Sequence, residues 1–139
     1  MMPSSSVVLN SLFWRRADVL HESHYALFEV LEDHGRALAG VDPEAALPIW
    51  ERVLRCVDRV LPHFHDQRII YKDILGQIYV KLGRIDDARE AFSSAYEVSK
   101  VTRGEKTKAT LDLKRLVDNT PEDVDELMFH YSNFEEVFF

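Results

Sequence analysis

Few side chains in this chain have chemistry to offer. His21 and His24 stand three apart, His63 and His65 flank Phe64, and Cys56 is the single cysteine. Two histidines at helical spacing could begin a zinc site, but a structural site wants four nitrogen or sulfur ligands. Neither pair has a second cysteine or a carboxylate pattern to complete it, so the imidazoles read as caps and exposed rings. Cys56 falls at the edge of an apolar helical face with no base arranged beside it, and reads as a half-buried inert thiol. The pairs Asp86-Asp87 and Glu135-Glu136 have the right side chains for acid–base work. Asp86 and Asp87, however, open a helix, where negative charge complements the dipole. No catalytic residue, cofactor or metal ligand is expected, and the chain reads as a non-enzyme.

What must be positioned is a set of helices. The 139 residues suit one domain, 46% of them hydrophobic, with 5 Gly and 5 Pro, a balance that favours helix over strand. The lone cysteine fits a reducing compartment. No apolar run reaches the length of a membrane span, and Met1-Met2-Pro3-Ser4-Ser5-Ser6 lacks the basic region of a secretory leader. A cytoplasmic location, extending to the nucleus, is expected. Net charge is −7, and residues 121–139 carry six carboxylates (Glu122, Asp123, Asp125, Glu126, Glu135, Glu136) and no Lys or Arg. That balance gives no general attraction for nucleic acid phosphates.

Apolar residues recur at helical spacing from Val7 to Leu38, as one long helix or two, with Ser6 as N-cap and Ser23 as a potential restart. Asp42-Pro43 opens a second helix. Pro48 conflicts with that start, so the helix either kinks there or begins near Leu47. A third helix spans Gln67 to Leu82 and stops at Gly83. A fourth runs from Asp86 to Val101, and a fifth follows Thr102-Arg103-Gly104. Thr120-Pro121-Glu122-Asp123 starts a sixth. No period-2 segment of strand length occurs.

Leu75-Gly76-x-x-Tyr79, Gly83 and Ala88-x3-Phe92-x2-Ala95 match most of the signature of one tetratricopeptide unit. Gly76 should let the partner helix come close, with Ala88 as the small surface it meets and Leu75, Tyr79 and Phe92 filling in around. Lys72 and Lys100 stand where the signature has Trp and Pro. Ala46-x3-Trp50 repeats Ala88-x3-Phe92 about 42 residues earlier, longer than the usual repeat of roughly 34. At that offset His34 falls where Gly76 predicts glycine. The expected fold is all-α: about six helices as antiparallel hairpins stacked in a tetratricopeptide-like right-handed superhelix. It forms one domain over 1–139, with an N-terminal helical region at 7–39, repeat units at 43–119, and a capping helix with an acidic-aromatic tail at 120–139.

Leu61-Pro62-His63-Phe64-His65 before the repeat, and Val98-Ser99-Lys100-Val101-Thr102-Arg103-Gly104-Glu105 after it, resemble the C-terminal helical domain of SET/MYND-type lysine methyltransferases. The resemblance runs from about residue 24 to 118. It departs from the family at Arg103, where His is common after Val-Thr. Kinesin light chains, with similarly long repeats, are a competing relative. The methyltransferase resemblance implies a tetratricopeptide-like lobe without its catalytic part. The family's core needs an Asn-His pair with a nearby Cys and several zinc cysteines, whereas Asn10, Asn119 and Asn133 precede Ser, Thr and Phe. In that family the lobe shapes substrate access and binds partner proteins, including the acidic tail of a heat-shock chaperone.

The function expected is a scaffold that binds a protein or peptide, an acidic C-terminal peptide among the options, through a groove. Ile70, Asp73, Gln77 and Lys81 should line it, with Lys114 among the cations Lys106, Lys108 and Arg115 forming a positive wall. The alternative is a regulatory lobe or fragment of a SET/MYND-type methyltransferase, inactive alone. Phe129, Tyr131, Phe134, Phe138 and Phe139 crowd the end of the chain, and the tail reads as a cap over the last repeat, with docking as the other option.

Overall fold

Residues 25–132 are described by a computed structural model, and among them the protein consists of six α-helices with no strand. They are α1 (Tyr25–Val41), α2 (Pro43–Val60), α3 (Gln67–Lys81), α4 (Ile85–Thr102), α5 (Lys108–Asp118) and α6 (Val124–Ser132). This is the all-α class that the sequence predicts. Ser6, Ser23, His21, His24, the apolar positions before Tyr25 and the aromatics after Ser132 lie outside the described residues.

Local chemistry sets the helix ends. Asp42 accepts a hydrogen bond from the Ala45 amide at 3.2 Å, so α2 begins at Pro43 and not near Leu47. Pro48 sits inside α2, with both its ring and Glu44, whose carbonyl loses its donor, on the exposed side. Water can serve that carbonyl, while burial of Ala46, Ile49, Trp50, Val53, Leu54 and Val57 offsets the cost of about 3 kcal/mol. Gly83, at φ 75°, closes α3: its amide bonds the Val80 carbonyl and the Arg84 amide the Tyr79 carbonyl, the left-handed cap expected there.

The start of α6 corrects the expectation. Thr120 does not cap it; its hydroxyl turns back to the Leu116 carbonyl at 2.9 Å and accepts from Arg89 Nε at 3.2 Å. Asp123 caps instead, accepting from the Glu126 amide at 2.9 Å. Thr120 thus finishes α5 rather than opening the next helix.

The tightest helix pairings are α3 with α4 and α1 with α2; α5 lies on α4, and α6 comes alongside α3 rather than α5. Two apolar clusters fill the interior. One gathers around Trp50 with Leu27, Leu31, Ile49, Val53, Leu75 and Ile78. The other surrounds Phe92 with Ile69, Val80, Ala88, Ala95, Leu113, Leu116, Leu127 and Tyr131. Tyr79 is half-buried between them, with the Arg84 guanidinium over its ring at 4.8 Å.

Gly76 is the point of closest approach, but the nearest atoms facing it belong to Phe92 rather than Ala88. A Cβ added there would stand 2.4 Å from the Phe92 ring. Gly35 has the same relation to α2: its Cβ would stand 2.7 Å from the Trp50 ring. The repeat offset aligned His34 with Gly76 because the stretch from glycine to aromatic is one residue shorter in the first helix pair. Gly40, also in α1, has no atom within 4 Å of an added Cβ. Replacing Gly76 or Gly35 with Ala should therefore lower the unfolding free energy by about 1–3 kcal/mol. Gly40→Ala should raise it by up to about 1 kcal/mol. Urea titrations followed by circular dichroism check both signs; equal effects at Gly76 and Gly40 would refute the close-contact account.

Candidate functional site

Helix α3 packs against α4, α2, α1 and α6, and one row of it bears Ile70, Asp73, Gln77 and Lys81 at helical spacing. The structure divides this expected groove. Ile70 remains half-buried and, with Gln67 and Tyr71, faces Phe28, Glu29, Glu32 and Arg36 of α1 across a cleft of about 290 Å³. Lys81 is not a groove cation: Nζ donates to the Ala39 carbonyl at 2.7 Å, and burial holds its pKa below the usual lysine value. That bond ties the end of α3 to the last turn of α1, where a positive charge suits the dipole. Lys114 is exposed on α5, away from the cleft lining.

Tyr71 organises the cleft floor. Its carbonyl accepts from the Trp50 indole N–H at 2.8 Å, and its hydroxyl donates to Glu32 at 2.9 Å. Glu32 in turn pairs with Arg36 at 3.0 Å. The Tyr71 ring meets Phe28 edge-on at 6.2 Å and Trp50 at 5.8 Å. Burial, and then Glu32, hold its phenol well above the ordinary range. Two carboxylates and one paired guanidinium give the cleft an acidic bias, opposite to the positive wall the sequence suggests.

Asp73 and Gln77 are not open to a groove, because α6 lies over them. Both are buried. Asp73 Oδ1 accepts from the Tyr131 hydroxyl and from Gln77 Nε2 at 3.4 Å; Oδ2 has no hydrogen-bond partner among the described residues. Burial pushes the Asp73 carboxyl up to about 6, against the opposing pull of the Tyr131 and Gln77 hydrogen bonds. Burial, and then the Arg115 charge, push His130 down to about 4. Helix α6 inserts two side chains, Leu127 and Tyr131, each contributing about 1.5–3 kcal/mol by burial. Nine residues are too few to be helical in isolation, so docking and helix formation go together.

The histidines of the α2–α3 loop have structural tasks. His65 Nδ1 accepts from the Gln67 amide at 3.1 Å, and His63 packs edge-on against Phe64 at 4.6 Å. Arg68 holds the same loop through the carbonyls of Leu61, at 2.7 Å, and Pro62, at 2.6 Å. Asp66 receives two bonds from Arg103, at 2.8 and 3.1 Å, which hold its carboxyl below the usual value. Asp66 directly follows the first of the two segments that resemble the methyltransferase lobe, and Arg103 lies within the second. Cys56 is fully buried, deeper than the half-buried edge expected of it. Among the described residues no group of three or more His, Cys, Asp or Glu could hold a metal ion. None of these helices is long and apolar enough to cross a membrane.

Sequence reasoning missed α6 as the cover of α3. Its one signal is the Leu127-x3-Tyr131 spacing, which could not say which surface it faces. Comparison with protein-family models, curated proteins and solved structures finds no match.

Asp73 and His130 make docking respond to pH in opposite directions. The folded Asp73 value, about 6, exceeds the free value of 3.8, so its contribution is complete below 3.8 and is lost as pH rises through 6. The folded His130 value, about 4, lies below the free value of 6.5, so its contribution is complete above 6.5 and is lost as pH falls through 4. The two slopes oppose one another over most of that interval. Relative to wild type, the thermal midpoint of Asp73→Asn should fall more steeply between about pH 7 and pH 4.5, and that of His130→Gln should rise. Scanning calorimetry across that range checks both; parallel profiles for all three proteins would refute the opposition.

Proposed function

We propose that the chain is a protein-interaction module, a scaffold without catalysis of its own, working in the cytoplasm and nucleus. The helix pairs α1–α2 and α3–α4 are read as tetratricopeptide-like units within a right-handed stack. The single observation that carries this reading is the cleft between α1 and α3: a concave, partly apolar surface with Phe28 and Ile70 exposed enough to grip and Glu29, Glu32 and Arg36 at its edge. Such a surface suits a side chain or short segment of a protein ligand. Its acidic bias favours a basic or neutral segment over the acidic peptide that the lysines alone suggest.

The SET/MYND-lobe reading is supported by the clasp between Arg103, inside one segment resembling that family, and Asp66, the residue directly after the other. Reading the coding sequence upstream for an Asn-His-Ser-Cys motif tests it.

Affinity capture with the wild-type chain, Ile70→Glu and Lys114→Glu, followed by mass spectrometry, tests the cleft. The captured set should lose its principal proteins with Ile70→Glu and keep them with Lys114→Glu. Identical sets from the wild type and a folded Ile70→Glu would remove the cleft from consideration.

A further inference from the structure

We propose that the face of α3 beneath α6 is a receptor for an amphipathic, arginine-bearing helix of a partner protein, which α6 occupies in its place with Tyr131 standing where that arginine binds. The inference rests on the reading of α3 as an interaction face.

The argument begins at Asp73. Its carboxylate is fully buried, it has no ion pair with Lys or Arg among the described residues, and Oδ2 lacks a hydrogen-bond partner there. A phenol offers one proton and serves one oxygen. A guanidinium offers two parallel N–H groups to both oxygens of a carboxylate and neutralises the charge as it binds. The pocket that holds Tyr131 is thus incompletely matched by its own occupant and better matched by arginine.

The occupant meets this face through few side chains. Leu127 and Tyr131 are its buried anchors, while Glu122, Asp123, Val124, Asp125, Glu126 and Met128 are exposed. A segment presenting an apolar residue and, one helical turn later, an arginine reproduces the first anchor and improves on the second. Charge favours a basic helix further, because Ile70, one turn before Asp73 on α3, opens onto the cleft carrying Glu29 and Glu32. The carboxylates of α6 itself add no attraction to this side.

Fluorescence anisotropy with two labelled peptides tests the proposal: residues 121–132 as they stand, and the same peptide with Tyr131→Arg. The receptor is the full chain carrying Leu127→Asp, which loosens α6. The arginine peptide should bind about tenfold or more tightly than the native-sequence peptide. That preference should vanish when Asp73→Asn is added, and the wild-type chain should bind both peptides more weakly. If Leu127→Asp fails to fold, Tyr131→Phe exposes the same preference, because it removes the phenol from Asp73 and leaves the apolar anchor. Equal affinities, or a preference that survives Asp73→Asn, would overturn the proposal. Tighter binding of the native-sequence peptide would also overturn it, assigning the site to α6 of a second copy. Ile70-dependent capture is read separately, so loss of the peptide preference alone removes this site and leaves the open cleft standing.

Discussion

Two contacts between a glycine and an aromatic ring set the spacing on which the rest of the protein depends. At Gly76 against Phe92 and at Gly35 against Trp50, the absence of a Cβ lets a ring lie directly on the backbone of the neighbouring helix. Both rings are fully buried, so the glycine contributes by making room for a large apolar area rather than by any bond of its own. Moving either pair apart would open voids around Trp50 or Phe92.

α3 bears the consequences of that spacing on every side. Its apolar residues divide between the two interior clusters, Leu75 and Ile78 to one, Ile69 and Val80 to the other. Its polar residues are then left on the remaining side. Lys81 finds the end of α1, while Asp73 and Gln77 find Tyr131. A buried carboxylate in such a position is costly unless fully partnered, and Asp73 is only half provided for. Its Oδ2, unpartnered among the described residues, is why this position, rather than the surface lysines, draws functional interest.

Much of the architecture was legible in the residue pattern, and the reasons differ by element. The starts and stops of α2, α3 and α4 follow from Asp42-Pro43, Gly83 and Asp86-Asp87, each a local signal with a local cause. Gly35 was hidden by one residue of length in the first helix pair, which a fixed offset cannot accommodate. Thr120-Pro121 looks like the opening of a helix, yet Thr120 is claimed by the Leu116 carbonyl and by Arg89, partners that its own neighbourhood in the chain does not disclose. Asp73 and Gln77 were misplaced for the same reason. Helical periodicity groups them with Ile70, but only the return of α6 decides which of that row stays in water, and a contact spanning 58 positions leaves no trace in local spacing.

The junction between the two helix pairs has a mechanical meaning. α2 and α3 meet less extensively than either meets its own partner, and the polar links across them include Trp50 with Tyr71 and Arg68 with Asp58 and the connecting loop. The seam between the pairs is therefore where a relative rotation would disturb the fewest apolar contacts.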